Sequence, residues 1–381
     1  MSIFHIVPGT DDAANGMAVV ARLLAKEQGE AEVVDLKCGM RGKSIASQIT
    51  GGSGVSPLHE KGNVDFVQKR RLAASPSQCC ICNYDEVWVH GMWLPEEWFA
   101  CWRAFSAGKR LVRMTHGSLS PLYLKYQSPL KKWLVGPIER FFLRRCDRIV
   151  ATCEAEKGWI KRYLGKKCPP VEVTDIKRFF DLEGGEAKEN WRRGILPRQM
   201  GAQGATSVAT LTRLEAAAPI DSRAIHLLYL GRRHPLKGLE YLEAAVAELN
   251  SNSVNSVNSV QNSFLHLSTS TRLKAELRII SNAFGEELEK VWQWCDVLVL
   301  PTLSENFGLV IAEALEHGKR VITTDGAPAW GDGLTGLTGF PGLYSGYEGR
   351  LIYLKGYRDG TSKERVRLLK EAIGLVQREL I

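Results

Sequence analysis

Short apolar runs alternate along this chain with stretches of helical period. Phe4–Val7 is a short, mainly apolar strand candidate, and Glu32–Leu36 returns as a strand. Between them, Met17, Val20, Leu23 and Leu24 fall on one face of a helix over Gly16–Glu27. This predicts a βαβ unit with the turn-rich loop Pro8–Asn15 at the carboxyl end of its first strand. Further strands are predicted at Glu86–Val89, Arg110–Thr115, Asp147–Thr152 and Val171–Ile176, with a helix from Glu154. A second series follows: strands Ile225–Leu230, Leu277–Ser281, Val297–Leu300 and Arg320–Thr324, and helices Gly238–Leu249 and Ser362–Leu380. Strands that alternate with helices belong to an α/β protein with parallel sheets.

At 381 residues the chain is long for one domain and suits two of about 150–200 residues each. The expected division is a first domain over 1–182, a linker rich in Gly and charge over 183–206, and a second domain over 207–360. Residues 361–381 form a last helix that is a candidate to pack back on the first domain. Asn250–Ser263 repeats Ser, Val and Asn and is too polar to pack, so a flexible insertion is expected at 250–263.

No apolar run approaches the roughly 20 residues of a membrane span. Met1–Gly9 lacks a basic segment and runs toward Asp11-Asp12, so it reads as a strand, not a signal peptide, and a cytoplasmic location is expected. Cys79, Cys80 and Cys82, with Cys101 beyond them, suggest either a metal site or ordinary reduced thiols, and we take the second. The net charge of +8 suits a phosphate-rich ligand or an anionic membrane face. Nucleic acid is not expected, because no zinc-finger, RRM or KH pattern occurs.

Two segments carry chemistry. In Trp294–Thr324 a buried strand breaks at Pro301–Ser304, and Glu305-Asn306-Phe307-Gly308 opens a helix that stops at Gly318. In a parallel sheet, ligands bind where strands end and helices begin, and free N–H groups there favour a diphosphate. Gly308 lacks a Cβ and would let an anion approach the backbone. Glu313 sits among apolar neighbours, where burial of an acid needs a partner, and the vicinal hydroxyls of a ribose would serve. An ion-paired helix glutamate is the plainer reading of Glu313, and a helix N-terminal acid that of Glu305. In the second segment, strand Leu227–Leu230 ends in Gly231-Arg232, and Lys237-Gly238 follows at a helix start. Two cations beside a helix end could clamp a diphosphate, or form a solvated basic turn.

Gly231-Arg232…Lys237-Gly238 together with Glu305-Asn306-Phe307-Gly308…Glu313-Ala314, whose acids have Glu-x7-Glu spacing, resembles the donor half of retaining glycosyltransferases of family 4. His90-Gly91-Met92-Trp93, Thr115-His116-Gly117-Ser118 and Val150-Ala151-Thr152-Cys153-Glu154 are similar to strand ends of bacterial members that build surface polysaccharide and lipopolysaccharide. The resemblance covers about residues 1–340. It implies two Rossmann-like domains facing across a cleft, the GT-B arrangement. It further implies that Arg232 and Lys237 neutralise the donor diphosphate and that the backbone of Asn306, Phe307, Gly308 and Leu309 binds it. Glu313 would hold the ribose, Glu305 would contact the donor sugar, and His116 would lie near the reacting sugar. Gly16 would let amides approach the phosphates, and Asn282–Glu287 would lie by the base. The implied donor is a nucleotide sugar, UDP-linked by family habit. The implied acceptor is a saccharide or lipid-linked saccharide. No metal or other cofactor is implied, and no Asp-x-Asp motif is present.

The chain departs from the family pattern at Val173-Thr174-Asp175-Ile176-Lys177-Arg178, in its single Gly16 after Asn15, and after Gly339. A nucleotide-sugar epimerase or phosphorylase and a non-catalytic sugar-nucleotide binder stay open as alternatives. A dinucleotide oxidoreductase is disfavoured, because no Gly-x-Gly-x-x-Gly follows the first strand. Leu122–Arg145 interleaves Lys125, Lys131, Lys132, Arg140, Arg144 and Arg145 with Leu130, Trp133, Leu134, Val135, Phe141, Phe142 and Leu143. Either it lies on an anionic membrane face, making the protein peripheral there, or its aromatics are core and its cations solvated. Pro129 and Pro137 are expected to break any long helix.

Overall fold

The computed structural model describes residues 1–8, 16–29, 31–35, 80–180, 182, 224–255, 274–281, 283 and 285–380. The expected linker 183–206, residues 256–263 of the insertion, Cys79 and Asn282 lie outside them. The chain forms two compact units, Met1–Thr174 and Asp175–Ile381.

The first unit holds β1 (Ile3–Val7), α1 (Gly16–Gln28), β2 (Ala31–Asp35), β3 (Glu86–His90), α2 (Pro95–Ser106) and β4 (Arg110–Met114). It continues with α3 (Pro121–Tyr126), α4 (Pro129–Leu143), β5 (Arg148–Ala151), α5 (Glu154–Leu164) and β6 (Val171–Val173). The sheet runs β2-β1-β3-β4-β5-β6, parallel throughout. Its central strands are buried on both faces, as helix-covered parallel strands are. Among the described strands the order reverses between β1 and β3, which makes that edge the ligand-binding switch point of an open α/β sheet.

The basic stretch meets expectation at Pro129, where a new helix begins after α3 has ended, and departs from it at Pro137. Pro129 is the first residue of α4, capped by the Ser128 hydroxyl, which accepts the Lys131 N–H at 3.2 Å. Pro137 lies inside the helix without ending it. It removes one hydrogen bond, which α4 offsets by its anchorage through Glu139. That carboxylate is fully buried and accepts the Trp93 N–H at 2.5 Å and the Trp98 indole at 2.8 Å, with Arg113 at 3.5 Å. Gly136, Glu139 and Leu143 make the buried face.

The second unit holds β7 (Ile225–Leu230), α6 (Leu239–Asn255), β8 (Ala275–Ile280), α7 (Glu286–Trp294), β9 (Val297–Val299), α8 (Leu309–Glu316) and β10 (Arg320–Thr324). Then come β11 (Thr335–Gly336), β12 (Leu343–Gly346), β13 (Leu351–Leu354) and α9 (Ser362–Leu380). The sheet order is β11-β12-β13-β10-β9-β7-β8, with β11 and β12 antiparallel. Its order reverses between β9 and β7. The helix α9 packs along α6 and β13. Residues 250–255, expected in the flexible insertion, instead complete α6. The Asn250 amide explains this, since it donates to the Ala275 carbonyl and accepts the Ala275 N–H, both at 3.0 Å. A polar side chain thereby stitches the helix to β8, which periodicity does not reveal.

Candidate active site

In the second unit the carboxyl ends of β7 and β9 carry the two chemistry-bearing loops at the switch point. Tight backbone contacts fix both. Gly238 has φ 61°, and a Cβ there would stand 2.2 Å from the Pro301 carbonyl oxygen. A Cβ on Gly326 would stand 2.1 Å from the Thr302 carbonyl oxygen. The Leu236 carbonyl accepts the Leu303 N–H at 2.8 Å and the Thr302 hydroxyl at 3.1 Å. These bonds hold the loop after β7 against the loop after β9.

The result is a direct ion pair: Lys237 Nζ donates to Glu305 Oε2, each side chain about one-fifth exposed. Glu305 Oε1 accepts the Asn306 N–H at 3.1 Å, and the Glu305 N–H donates to the Gly326 carbonyl at 2.8 Å. Gly308 is the N-cap of α8 with φ 72°, and no side chain caps the helix. Its left-handed backbone alone calls for glycine, a reason independent of anion approach. The uncapped first turn leaves donors aimed at the site. Phe307 is buried, its ring stacked 6.1 Å from Phe180 and tilted 5.2 Å from Trp330, whose indole donates to the Phe307 carbonyl. Its side chain therefore supports the loop and is turned away from any ligand-contacting role.

Arg232, on the loop after β7, is exposed. Its neighbour Arg233 pairs with Glu243 at 3.2 Å. Glu313 lies on α8 but is half-buried and engaged with other residues, so the sequence argument from the cost of full burial does not apply. Sequence reasoning missed Tyr229. It is fully buried, its hydroxyl donates to the Arg232 carbonyl at 2.9 Å, and burial, then the nearby Glu305 charge, pushes its pKa up to about 12. It thus stays a neutral donor that shapes the Arg232 turn. An aromatic two residues before Gly231 was the available signal.

In the first unit, Gly16 opens α1, half-buried, while residues 9–15 of its loop lie outside the described residues. His116 follows β4 with φ 49°, a left-handed conformation uncommon for a residue with a Cβ and a mark of constrained sites. Glu156, which the sequence reading did not single out, holds this turn. Its fully buried carboxylate accepts the Thr115 hydroxyl at 2.7 Å and the Gly117 N–H at 2.6 Å on β4's end. On β5's end it accepts the Thr152 N–H and hydroxyl, both at 2.8 Å. Two further histidines join it: His90, quoted in the sequence resemblance without a role, and His5, which the sequence reading missed. His90 Nδ1 lies 2.9 Å from His116 Nε2, and His90 Nε2 lies 2.9 Å from His5 Nδ1. Burial pushes His5 down to about 4 and His116 to about 3. Cys101, grouped with Cys79–Cys82 in the sequence reading, is buried against Arg113, whereas Cys82 is exposed.

Similarity to known proteins agrees with this architecture. The family model Glycosyltransferase Family 4 matches residues 14–183, and Glycosyl transferases group 1 matches residues 224–341. A D-inositol 3-phosphate glycosyltransferase of Corynebacterium glutamicum (strain R) is 27% identical over 141 residues. That match takes in 33% of this chain and spans 33% of the relative's length. The solved sucrose-phosphate synthase of Thermosynechococcus elongatus superposes with a TM-score of 0.50 at 16% identity, covering 100% of this chain and 98% of that one. An Anabaena protein, HepE, solved with UDP and glucose, gives 0.48 at 13% identity over 99% and 95% of the two chains. With both of its α/β units matched by glycosyltransferase family models, and with a mainly parallel, Rossmann-like sheet in each unit, this chain belongs to the family 4 glycosyltransferases.

Proposed function

We propose that this protein transfers a sugar from a nucleotide-diphosphate donor, a UDP-sugar by family habit, to a saccharide or lipid-linked saccharide with retention of configuration. Cell-surface polysaccharide or lipopolysaccharide synthesis is the setting this reading suggests. One observation carries it: Lys237, Glu305 and the uncapped N-terminus of α8 converge at the switch point of the second sheet. Cations and free N–H groups at such an edge stabilise a diphosphate and, more strongly, the charge that grows on it as it leaves. In this reading Lys237 and Arg232 neutralise the phosphates, and the Asn306–Leu309 backbone binds them. Glu313 holds the ribose, and Glu305 contacts the sugar. His116 lies by the reacting sugar, and Gly16 lets amides near the phosphates. The departing phosphate oxygen takes the acceptor proton, so no protein base is needed for an oxocarbenium-like transition state. A thermal-shift screen of UDP, GDP and ADP tests the donor reading, since a ligand that binds only the folded state raises the midpoint. A selective shift names the base, and no shift at millimolar concentration with any of the three overturns the reading.

We further propose that the first unit docks on an anionic membrane face. Leu130, Trp133, Leu134, Ile138 and Phe141 recur at helical spacing along α4 and face solvent, Trp133 at 76% exposure. This removes the core reading of Leu130, Trp133, Leu134 and Phe141. At 100° per residue the stripe stands opposite Gly136, Glu139 and Leu143. Beside it, Arg140, Arg144, Arg145 and Lys167 line a concave pocket with Pro137 and Phe141. An apolar stripe bordered by cations fits lipid with negative headgroups. Among the described residues no helix is long and apolar enough to cross a membrane. Co-sedimentation with phosphatidylglycerol vesicles, weakening as salt rises, is expected. No binding at low salt overturns the proposal.

A further inference from the structure

His5, His90 and His116 lie on a diagonal across three adjacent strands. His5 on β1 pairs with Trp88 on β3. Two residues on is His90, which pairs with Met114 on β4, and two residues beyond that is His116. The diagonal brings the rings into one hydrogen-bonded row. From Gln28 Oε1 to His5 Nε2 is 2.7 Å, from His5 Nδ1 to His90 Nε2 is 2.9 Å, and from His90 Nδ1 to His116 Nε2 is 2.9 Å. Ring nitrogens this close share a proton, not a metal ion, whose bonds to nitrogen are about 2.0–2.1 Å each.

The direction of the row follows from its first member. An amide oxygen only accepts, so His5 Nε2 carries the hydrogen. A neutral imidazole has one N–H, so His5 Nδ1 accepts, and His90 Nε2 must donate to it. The same step makes His90 Nδ1 the acceptor of a hydrogen on His116 Nε2. The rings are neutral because burial removes the water that would stabilise an imidazolium, and a second charge would face the first. His116 Nδ1 is then a bare lone pair, and among the described residues no hydrogen-bond partner meets it.

We propose that Gln28, His5 and His90 are positioning residues that fix His116 in the Nε2–H tautomer, so that Nδ1 accepts a hydrogen bond from a sugar hydroxyl. The sugar as its partner rests on the function proposed above. The row is not a proton wire, because it ends at an amide oxygen that takes no proton. Burial also disfavours the His116 imidazolium, so His116 orients a hydroxyl and does not take its proton. The left-handed backbone at His116, held by Glu156 through Gly117, sets the ring at the end of the row.

Long-range 1H–15N correlation spectra of 15N-histidine-labelled protein at pH 7.5 test this, with His116 assigned by difference from His116→Gln. The expected His116 pattern is protonated Nε2 and unprotonated Nδ1. Gln28 is half-buried at the last position of α1, so the fold tolerates change there. Gln28→Leu removes the acceptor and should turn His116 into a mixture of tautomers. Gln28→Glu keeps an acceptor and should keep Nε2–H. A wild-type His116 protonated at Nδ1 overturns the proposal, as does a Gln28→Leu spectrum identical to wild type. The spectra need no substrate. The expected tautomer in a protein that transfers no sugar would sustain the row and remove only the sugar as its partner.

Discussion

Lys237 Nζ donates to Glu305 Oε2, so a nucleotide bound as proposed must compete with Glu305 for the lysine. Glu305→Gln removes the negative charge at nearly constant shape. The Asn306 N–H keeps its acceptor, because the amide oxygen can replace Oε1. The pair is in direct contact but about one-fifth exposed at both ends, so solvent screens it. A net worth of about 1 kcal/mol is the appropriate scale for such a pair. Releasing Lys237 should tighten UDP by about fivefold, the factor that about 1 kcal/mol represents. Lys237→Met deletes the phosphate contact itself. A hydrogen bond to a charged group is worth about 1.5–3 kcal/mol, so UDP should weaken by roughly 10- to 100-fold. Isothermal titration with UDP reads both changes, which have opposite signs. Sugar transfer should fall in both variants, because Glu305 contacts the sugar in the proposed reading. UDP affinity that moves in the same direction in both variants would refute the reasoning.

Three further outcomes are expected. His5 is held neutral with its folded pKa near 4 against about 6.5 when unfolded, so its contribution to stability is present above pH 6.5 and is lost as pH falls toward 4. At pH 5 that loss is about 2 kcal/mol for His5 alone; urea titrations should show a midpoint that falls between pH 7 and pH 5, and that falls less in His5→Asn, where the buried His90 and His116 still contribute. Gly326→Ala drives a Cβ into the Thr302 carbonyl and should destabilise by about 3 kcal/mol, whereas Gly158→Ala, inside α5 with open space around its Cβ, should stabilise by about 0.5–1 kcal/mol; calorimetry that ranks them otherwise refutes the packing argument. Trp133→Asp should abolish vesicle binding while shifting stability by no more than about 0.5 kcal/mol, since the ring is exposed, and equal vesicle binding by both proteins would count against the α4 stripe.

The order of strands and helices was legible in the sequence because buried parallel strands and one-sided helices have periods that survive without coordinates. Ile225–Leu230, Arg320–Thr324 and Ser362–Leu380 coincide with β7, β10 and α9. The Gly231–Gly238 and Glu305–Glu313 segments were also legible, since each sits where a strand must stop and a helix must start. Boundaries set by side-chain bonding were not legible: Asn250 extends α6 by gripping β8, and Glu139 holds α4 together past Pro137. Short elements such as β11–β13 carry too little pattern to be read.

Tertiary structure alone decided which residues meet. Lys237 and Glu305 lie 68 residues apart in sequence and join because β7 and β9 are neighbours in the sheet. His5, His90 and His116 are unremarkable residues one by one, and only strand register sets them in a row. The basic stretch Leu122–Arg145 had two opposite readings from one pattern, because an amphipathic period shows that a helix has an apolar face but not whether protein covers it. In α4 the buried Glu139 turns the charged position inward, and the stripe through Trp133 is left to solvent. Sequence set the local conformations, which depend on near neighbours. Sheet order and register set the ion pair, the histidine row and the direction of that apolar face, which depend on contacts between residues far apart in the chain.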